Sequence, residues 1–169
     1  MMLRPDQSIA RVLKRGLQFR GRSQRSEYWW WALFVALIDI AASVAETQVD
    51  MPYYFGMSVI GLATYALYFI PDLTVGWRRM QDTGRPGWIY AIFVVLAFAV
   101  SFMPESWFGF DALLESNVAL GNLPVGLFGM GAYLVLFMIM IILLAMPSQR
   151  GDNRYGPHPF EDRGVDVFD

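Results

Sequence analysis

The stretch that decides the fold is LPVGLFGMGAYLVLFMIMIILLAM, residues 123–146, which carries no charged side chain. A helix needs about 17–25 mainly apolar residues to cross the hydrocarbon core of a bilayer. A surface helix of a soluble protein keeps a polar face, and this stretch has none. It therefore predicts a membrane-spanning helix.

Three further stretches have similar length and character. They are YWWWALFVALIDIAASV at 28–44, YYFGMSVIGLATYALYFIPDLTV at 53–75 and WIYAIFVVLAFAVSFM at 88–103. The whole chain is 56% hydrophobic and only 17% charged, whereas a soluble domain carries about 25% charged residues. We predict an all-α polytopic membrane protein, a bundle of four transmembrane helices forming one domain over residues 1–169.

The basic residues predict the orientation of this bundle. Of the thirteen Lys and Arg residues, seven precede residue 28, three lie between the second and third stretches, and three follow the fourth. The other two connectors have none. Because cytoplasmic loops carry the excess of basic residues, both termini and the tail at 147–169 are predicted to be cytoplasmic.

The segment at 1–27 contains an amphipathic pattern. Its apolar positions are Ile9, Val12, Leu13 and Leu17, and its cationic positions are Arg11, Lys14 and Arg15. Such a helix is predicted to lie in the membrane interface, with its cations near anionic headgroups. A helix docked on the bundle is the alternative.

Two acids fall inside the apolar stretches. Asp39 lies close to the predicted midplane, where an acid needs a partner on another helix. Polar residues at similar depth are Thr64 and Tyr65, with Tyr68 somewhat shallower and Tyr133 on the fourth stretch, and we expect Thr64 or Tyr65 first. Asp39 either forms a structural hydrogen bond between helices or belongs to a proton- or ion-linked transport site. Asp72 is seven residues from Arg79, which suggests a shallow ion pair.

Three polar motifs fall on the predicted cytoplasmic face: FRGRSQRSEYWW at 19–30, RRMQDTGRPGW at 78–88 and GDNRYGPHP at 151–159. We expect them to meet in one polar cluster, in which the tail folds back onto the connector. One of the paired arginines would bind an acid and the other a lipid phosphate. The candidate residues are Arg20, Arg22, Arg25, Arg78, Arg79, Asp82, Asn153, Arg154 and Tyr155. The cluster either closes the bundle structurally or binds anionic headgroups.

Together these motifs resemble the DUF805 family of small bacterial inner-membrane proteins, over roughly residues 12–159. The resemblance implies an inner-membrane location and a multi-span helical fold, and it supplies no activity. The family pattern reads Arg-Arg-x-His-Asp-x-Gly in the connector, and Gln81 occupies the His position here. A catalytic or metal-binding role of that His is therefore not carried over.

The residue inventory argues against catalysis. The chain has no Cys and one His, His158, and it lacks paired carboxylates or a nucleophile with a base. We expect no metal, no cofactor, no enzymatic activity and no nucleic-acid partner. The leading hypothesis is a non-catalytic membrane protein that binds anionic lipid headgroups or a membrane partner, with a homo-oligomer also possible. A small transporter using Asp39 is the alternative, followed by an intramembrane lipid-modifying enzyme.

Overall fold

A computed structural model describes residues 3–49, 53–54, 57–101 and 123–159. This part of the chain forms five helices and one very short antiparallel hairpin. In chain order they are α1 (Pro5–Lys14), α2 (Arg25–Glu46), β1 (Tyr53–Tyr54), β2 (Met57–Ser58), α3 (Val59–Asp82), α4 (Trp88–Ser101) and α5 (Leu123–Ala145).

Helix α3 has different bounds from the predicted apolar stretch at 53–75. It begins at Val59, where the Ser58 hydroxyl accepts a hydrogen bond from the Gly61 amide at 2.9 Å and caps the helix. It continues past Pro71 to Asp82, and Gly84 turns the chain with a φ of 80°. The paired arginines therefore lie on the last turns of a helix and not in a connector.

The other apolar stretches coincide with helices. Those at 28–44 and 123–146 fall on α2 and α5, and most of the stretch at 88–103 falls on α4. Among the described residues, α2 and α3 are long and apolar enough to cross a membrane, while Trp88–Ala97 and Gly131–Ala145 are shorter apolar stretches. The connector at 104–122 and the tail after residue 159 lie outside the described part.

Helix α3 is central, since it packs against α1, α2, α4 and α5. The buried core lies towards the end of the bundle where α3 ends and α2 begins, hereafter the basic end. Its members are Val12, Tyr28, Trp31, Val75, Met80, Tyr90, Met140 and Leu144. Along the rest of α2–α5, large apolar side chains such as Leu37, Leu67 and Val95 are exposed. Such a surface suits contact with lipid and not with water.

Helix α1 (Pro5–Lys14) lies within the predicted amphipathic segment, but its apolar residues do not share a single face. Val12 and Ser8 are completely buried against the bundle, whereas Leu13 is 57% exposed and Leu17 is 83% exposed. Val12 and Leu13 are neighbours on the helix and point about 100° apart, so docking through one leaves the other outside. The helix is docked, with two leucines left on the outer surface.

Two glycines allow α3 and α4 to approach each other closely. A Cβ added at Gly76 would lie 2.1 Å from the Tyr90 ring, and one added at Gly87 would lie 2.3 Å from the Trp77 ring. Both distances are far inside van der Waals contact. The rings of Tyr90 and Trp77 therefore occupy the space that a side chain would need.

We expect Gly76→Ala to destabilise the protein by about 1–3 kcal/mol, because the added methyl group must displace the buried Tyr90 ring. Gly131→Ala is the control, since no other described part of the chain, apart from the adjoining backbone of its own helix, lies within 4 Å of its added Cβ. Thermal unfolding of both variants in detergent, followed by circular dichroism, measures the difference. Equal melting temperatures would contradict the close packing of α3 against Tyr90.

Candidate functional site

A buried carboxylate, that of Asp82, is the centre of the polar cluster at the basic end. Its Oδ1 accepts a hydrogen bond from Arg22 Nε at 2.9 Å, and its Oδ2 accepts hydrogen bonds from Arg79 and the Ser148 hydroxyl. Asp82, Arg22 and Arg79 are almost completely inaccessible to solvent. These four residues, with the carbonyls they bind, form what we term the polar network.

The segment after α5 folds back onto this network. The Gln149 amide donates to the Asp82 carbonyl at 2.9 Å, and Arg22 donates to the carbonyls of Gln149 and Gly151 at 2.6 and 2.7 Å. The Asn153 side chain donates to the Gln81 carbonyl at 2.9 Å. All three motifs therefore meet, as the sequence hypothesis requires, and the segment at 147–153 is docked.

Arg79 also joins the network to the end of α5. Its Nε donates to the Leu144 carbonyl at 2.8 Å, and a terminal nitrogen donates to the Met146 carbonyl. The last carbonyls of a helix carry partial negative charge and lack partners within the helix. Arg79 supplies both the hydrogen bonds and the opposite charge.

Arg78 points in another direction, towards Glu27 on α2. Its Nη2 lies 3.4 Å from a Glu27 oxygen, and Arg11 of α1 lies 4.0 Å from the other oxygen. Both Glu27 and Arg78 are buried, and the two terminal nitrogens of Arg78 have no hydrogen-bond partner within the described part of the chain. The pair connects α1, α2 and α3.

The expectation that one of the paired arginines is free for a lipid phosphate is therefore wrong. Arg78 and Arg79 are both completely buried, because α3 continues to Asp82 and the segment at 20–27 covers its last turns. The Ser23 amide, for example, donates to the Arg78 carbonyl at 3.3 Å.

The remaining predicted residues lie at the edge of the cluster. Arg154 is exposed and stacks on the Tyr155 ring, with its guanidinium carbon 4.7 Å from the ring centroid. The Tyr155 amide donates to the Asn153 side chain at 2.9 Å, inside a tight turn that Asn153 closes with Gly156. Arg20 is exposed as well. Arg154 and Arg20 are not members of the polar network.

Burial changes the acid–base properties of groups at this end that lie outside the predicted apolar stretches. Burial raises the pKa of the Glu27 carboxyl above its usual range, and the charges of Arg78 and Arg11 oppose this rise. Burial lowers the pKa of the Arg79 guanidinium to about 10, against the opposing effect of Asp82. Arg79 therefore stays protonated at neutral pH and keeps its charge in the network.

Asp39 has a partner on another helix, as predicted, but it is the shallower candidate and not Thr64 or Tyr65. The Tyr68 hydroxyl on α3 donates to Asp39 Oδ1 at 2.8 Å. Thr64 donates to the carbonyls of Ile60 and Gly61 in its own helix, and the Tyr65 ring packs against Tyr68 and Phe69. The donor is displaced by about one turn because depth along a helix does not specify which residue faces the neighbour.

Asp72 is also placed differently from the expectation of an ion pair with Arg79. It accepts hydrogen bonds from Trp31 Nε1 at 3.2 Å and from the Tyr90 hydroxyl at 2.9 Å. These donors lie on α2 and α4, so one carboxyl connects three helices. Trp31 itself is buried.

The sequence hypothesis missed two residues of this end, Ser148 of the polar network and the buried acid Glu27. Glu27 is the one acid in the motif at 19–30 and directly precedes an apolar stretch. An acid at that boundary beside seven N-terminal basic residues was the available signal for an ion pair.

A cavity of about 700 Å³ opens beside the polar network, between the start of α2 and the end of α5. Its lining includes Arg25, Ser26, Trp29, Trp30, Ser148 and His158. No group of three or more His, Cys, Asp or Glu residues in the described ranges is arranged to hold a metal ion.

Apolar helices with a lipid-compatible surface, joined at one end by buried charges, define an integral membrane protein. The family described as "Protein of unknown function (DUF805)" matches residues 16–157, and the chain belongs to this family. The matched range includes the whole polar network and begins after α1.

Two similar proteins of known location are also inner membrane proteins. The chain is 33% identical over 84 residues to the inner membrane protein YhaI of Escherichia coli K12, covering 49% of this chain and 68% of that protein. It is 28% identical over 85 residues to the inner membrane protein YhaH of the same strain, covering 50% and 70%. No solved structure matches. The protein is a bacterial inner-membrane protein.

We expect Asp82→Asn to destabilise the protein by about 3–5 kcal/mol, because it leaves Arg22 and Arg79 buried without a counter-charge. Asp152→Asn is a matched control on the exposed surface, where Asp152 accepts one hydrogen bond from the His158 amide. Thermal unfolding in detergent distinguishes the two. Similar stability of both variants would show that the network contributes little to folding.

Proposed function

We propose that this protein is a non-catalytic, multi-pass inner-membrane protein that binds anionic phospholipid headgroups at its cytoplasmic end. In this proposal α2, α3, α4 and α5 each cross the membrane, and both termini lie in the cytoplasm. The support is the placement of all thirteen basic residues near one end of a four-span arrangement. Membrane lipids are its main partner.

The topology has a direct test, because the chain contains no Cys. Thr47, just after α2, and Gln18, just after α1, are both exposed. We expect Thr47→Cys to react with a membrane-impermeant maleimide added outside spheroplasts, and Gln18→Cys to react only after the membrane is permeabilised. External labelling of Gln18→Cys would reject the orientation.

The observation that carries the proposal is the outer surface of α1 and of the turn that follows it. The exposed side chains of Leu13 and Leu17 lie beside Lys14 and Arg15, which are also exposed. Neither cation forms an ion pair with any residue in the described ranges. Apolar side chains next to exposed cations suit a surface of anionic headgroups above hydrocarbon.

Contacts with α3 indicate the depth of this surface. The Gly16 carbonyl, which follows α1, accepts a hydrogen bond from the Thr74 hydroxyl at 3.1 Å. Thr74 lies at the inner end of the apolar stretch at 53–75. Phe19 packs edge-to-face on Trp77, with ring centroids 5.5 Å apart. The end of α1 is therefore level with the boundary at which apolar helix gives way to polar residues.

The contacts of the intramembrane acids favour structural roles over transport. Asp39 and Asp72 accept hydrogen bonds from Tyr68, Tyr90 and Trp31 on neighbouring helices. Such bonds contribute about 0.6 kcal/mol on average to membrane-protein stability. We therefore assign Asp39 and Asp72 a structural role in connecting helices, and we assign lipid binding to the basic end.

We expect the protein in mixed bilayers to select spin-labelled phosphatidylglycerol over phosphatidylcholine, as measured by electron paramagnetic resonance. The double variant Lys14→Gln/Arg15→Gln should lose most of this preference, since each basic residue near the surface contributes about 1 kcal/mol. Higher salt should reduce the preference of the unmodified protein, because exposed charges are screened.

A charge-matched control is Arg150→Gln/Arg154→Gln, which removes two exposed cations of the tail that have no exposed leucines beside them. This variant should retain most of the preference. Equal association of the two lipids with the unmodified protein would overturn the proposed function.

A further inference from the structure

The cavity between α2 and α5 has the electrostatic character of an anion site. The Arg25 side chain is exposed and forms no ion pair with a residue that the structure describes. The hydroxyl-bearing residues Ser26 and Ser148 also line the cavity, and no acidic side chain is among its described lining residues. Its volume of about 700 Å³ is in the range of small-ligand pockets.

The helix ends beside the cavity add to its positive character. Arg25 is the first residue of α2, and the preceding Gln24 makes no side-chain capping bond to the free amides of the first turn. At the opposite wall, the negative end of α5 is neutralised because Arg79 binds the carbonyls of Leu144 and Met146. An anion therefore meets the Arg25 guanidinium on one side, while two carbonyls at the α5 side are already bound by Arg79.

Two tryptophans indicate where the ligand comes from. Trp29 is 40% exposed and Trp30 is 36% exposed, and both line the cavity. Indole rings in membrane proteins concentrate at the level of the headgroups. The cavity thus combines a guanidinium and the Ser26 hydroxyl, which suit a phosphate, with aromatic rings that suit the adjoining glycerol and acyl region. The Ser148 hydroxyl is not counted as a donor, because it already donates to Asp82.

We propose that this cavity binds one phosphate ester, that of an anionic phospholipid, with Arg25 as the main ligand. The inference rests on the proposed function and deepens it, because it assigns a single stoichiometric site in addition to the general attraction of α1 for an anionic surface. Arg25 binds the phosphate oxygens through its planar fork of donors, while Trp29 and Trp30 pack against the lipid.

Native mass spectrometry of the full chain in detergent tests this site. Titration with dioleoyl-phosphatidylglycerol should give one tightly bound lipid, and dioleoyl-phosphatidylethanolamine, which has no net charge, should bind more weakly. Arg25→Ala should weaken phosphatidylglycerol binding about tenfold or more, since a hydrogen-bonded charge is removed. Arg25→Lys should retain part of the affinity.

Arg154→Ala is the control, because Arg154 is an exposed arginine of the same end that stacks on Tyr155 and does not line the cavity. It should bind phosphatidylglycerol as the unmodified protein does. Circular dichroism melting of Arg25→Ala should be unchanged, because the side chain is exposed and makes no ion pair with described residues.

Two soluble probes distinguish the source of the phosphate. Competition by glycerol 3-phosphate or inorganic phosphate, lost in Arg25→Ala, would support the cavity as a phosphate site and assign it to a soluble ligand. The proposed site would be overturned if Arg25→Ala left the binding of phosphatidylglycerol, glycerol 3-phosphate and inorganic phosphate unchanged. Equal binding of phosphatidylglycerol and phosphatidylethanolamine to the unmodified protein would overturn it as well. If the spin-label preference for phosphatidylglycerol persists in that case, the proposed function stands and this cavity alone is excluded.

Discussion

The structure depends on the buried carboxylate of Asp82, which lies between two buried arginines. Arg22 comes from the segment before α2, and Arg79 from the last turns of α3. Because ions removed from water must be compensated at short distance, this carboxylate holds the N-terminal segment, α3 and the segment after α5 together. Three segments that are far apart in the sequence therefore meet at this one carboxylate.

This interaction matters because few other forces hold the apolar helices together. In a bilayer there is no hydrophobic driving force between helices, so association depends on close packing and hydrogen bonds. Gly76 and Gly87 supply the close packing of α3 with α4, and the acids at 39 and 72 supply the hydrogen bonds. The described core is concentrated at the basic end, next to the charged network.

The cations of the basic end divide into two sets with different physical roles. Arg22, Arg78 and Arg79 are buried and satisfy acids and carbonyls of the protein itself. Arg25, on the cavity, and the exposed cations of α1 face outwards. The second set, unlike the first, is available to a lipid, and its members lie where apolar side chains reach the surface as well. This division is why we place lipid binding beside the polar network and not within it.

The sequence alone determined the membrane class and the approximate positions of the apolar helices, because apolar length is a local property that needs no knowledge of neighbours. It also indicated that three distant polar motifs meet, since all three fall on the predicted cytoplasmic side of the membrane. The tertiary structure decided which charges pair. Arg78 and Arg79 are adjacent in sequence but point about 100° apart on α3, so one meets Glu27 and the other meets Asp82. The partner of Asp39 was likewise decided by the rotation of α3 about its axis, which residue counting along a helix cannot supply.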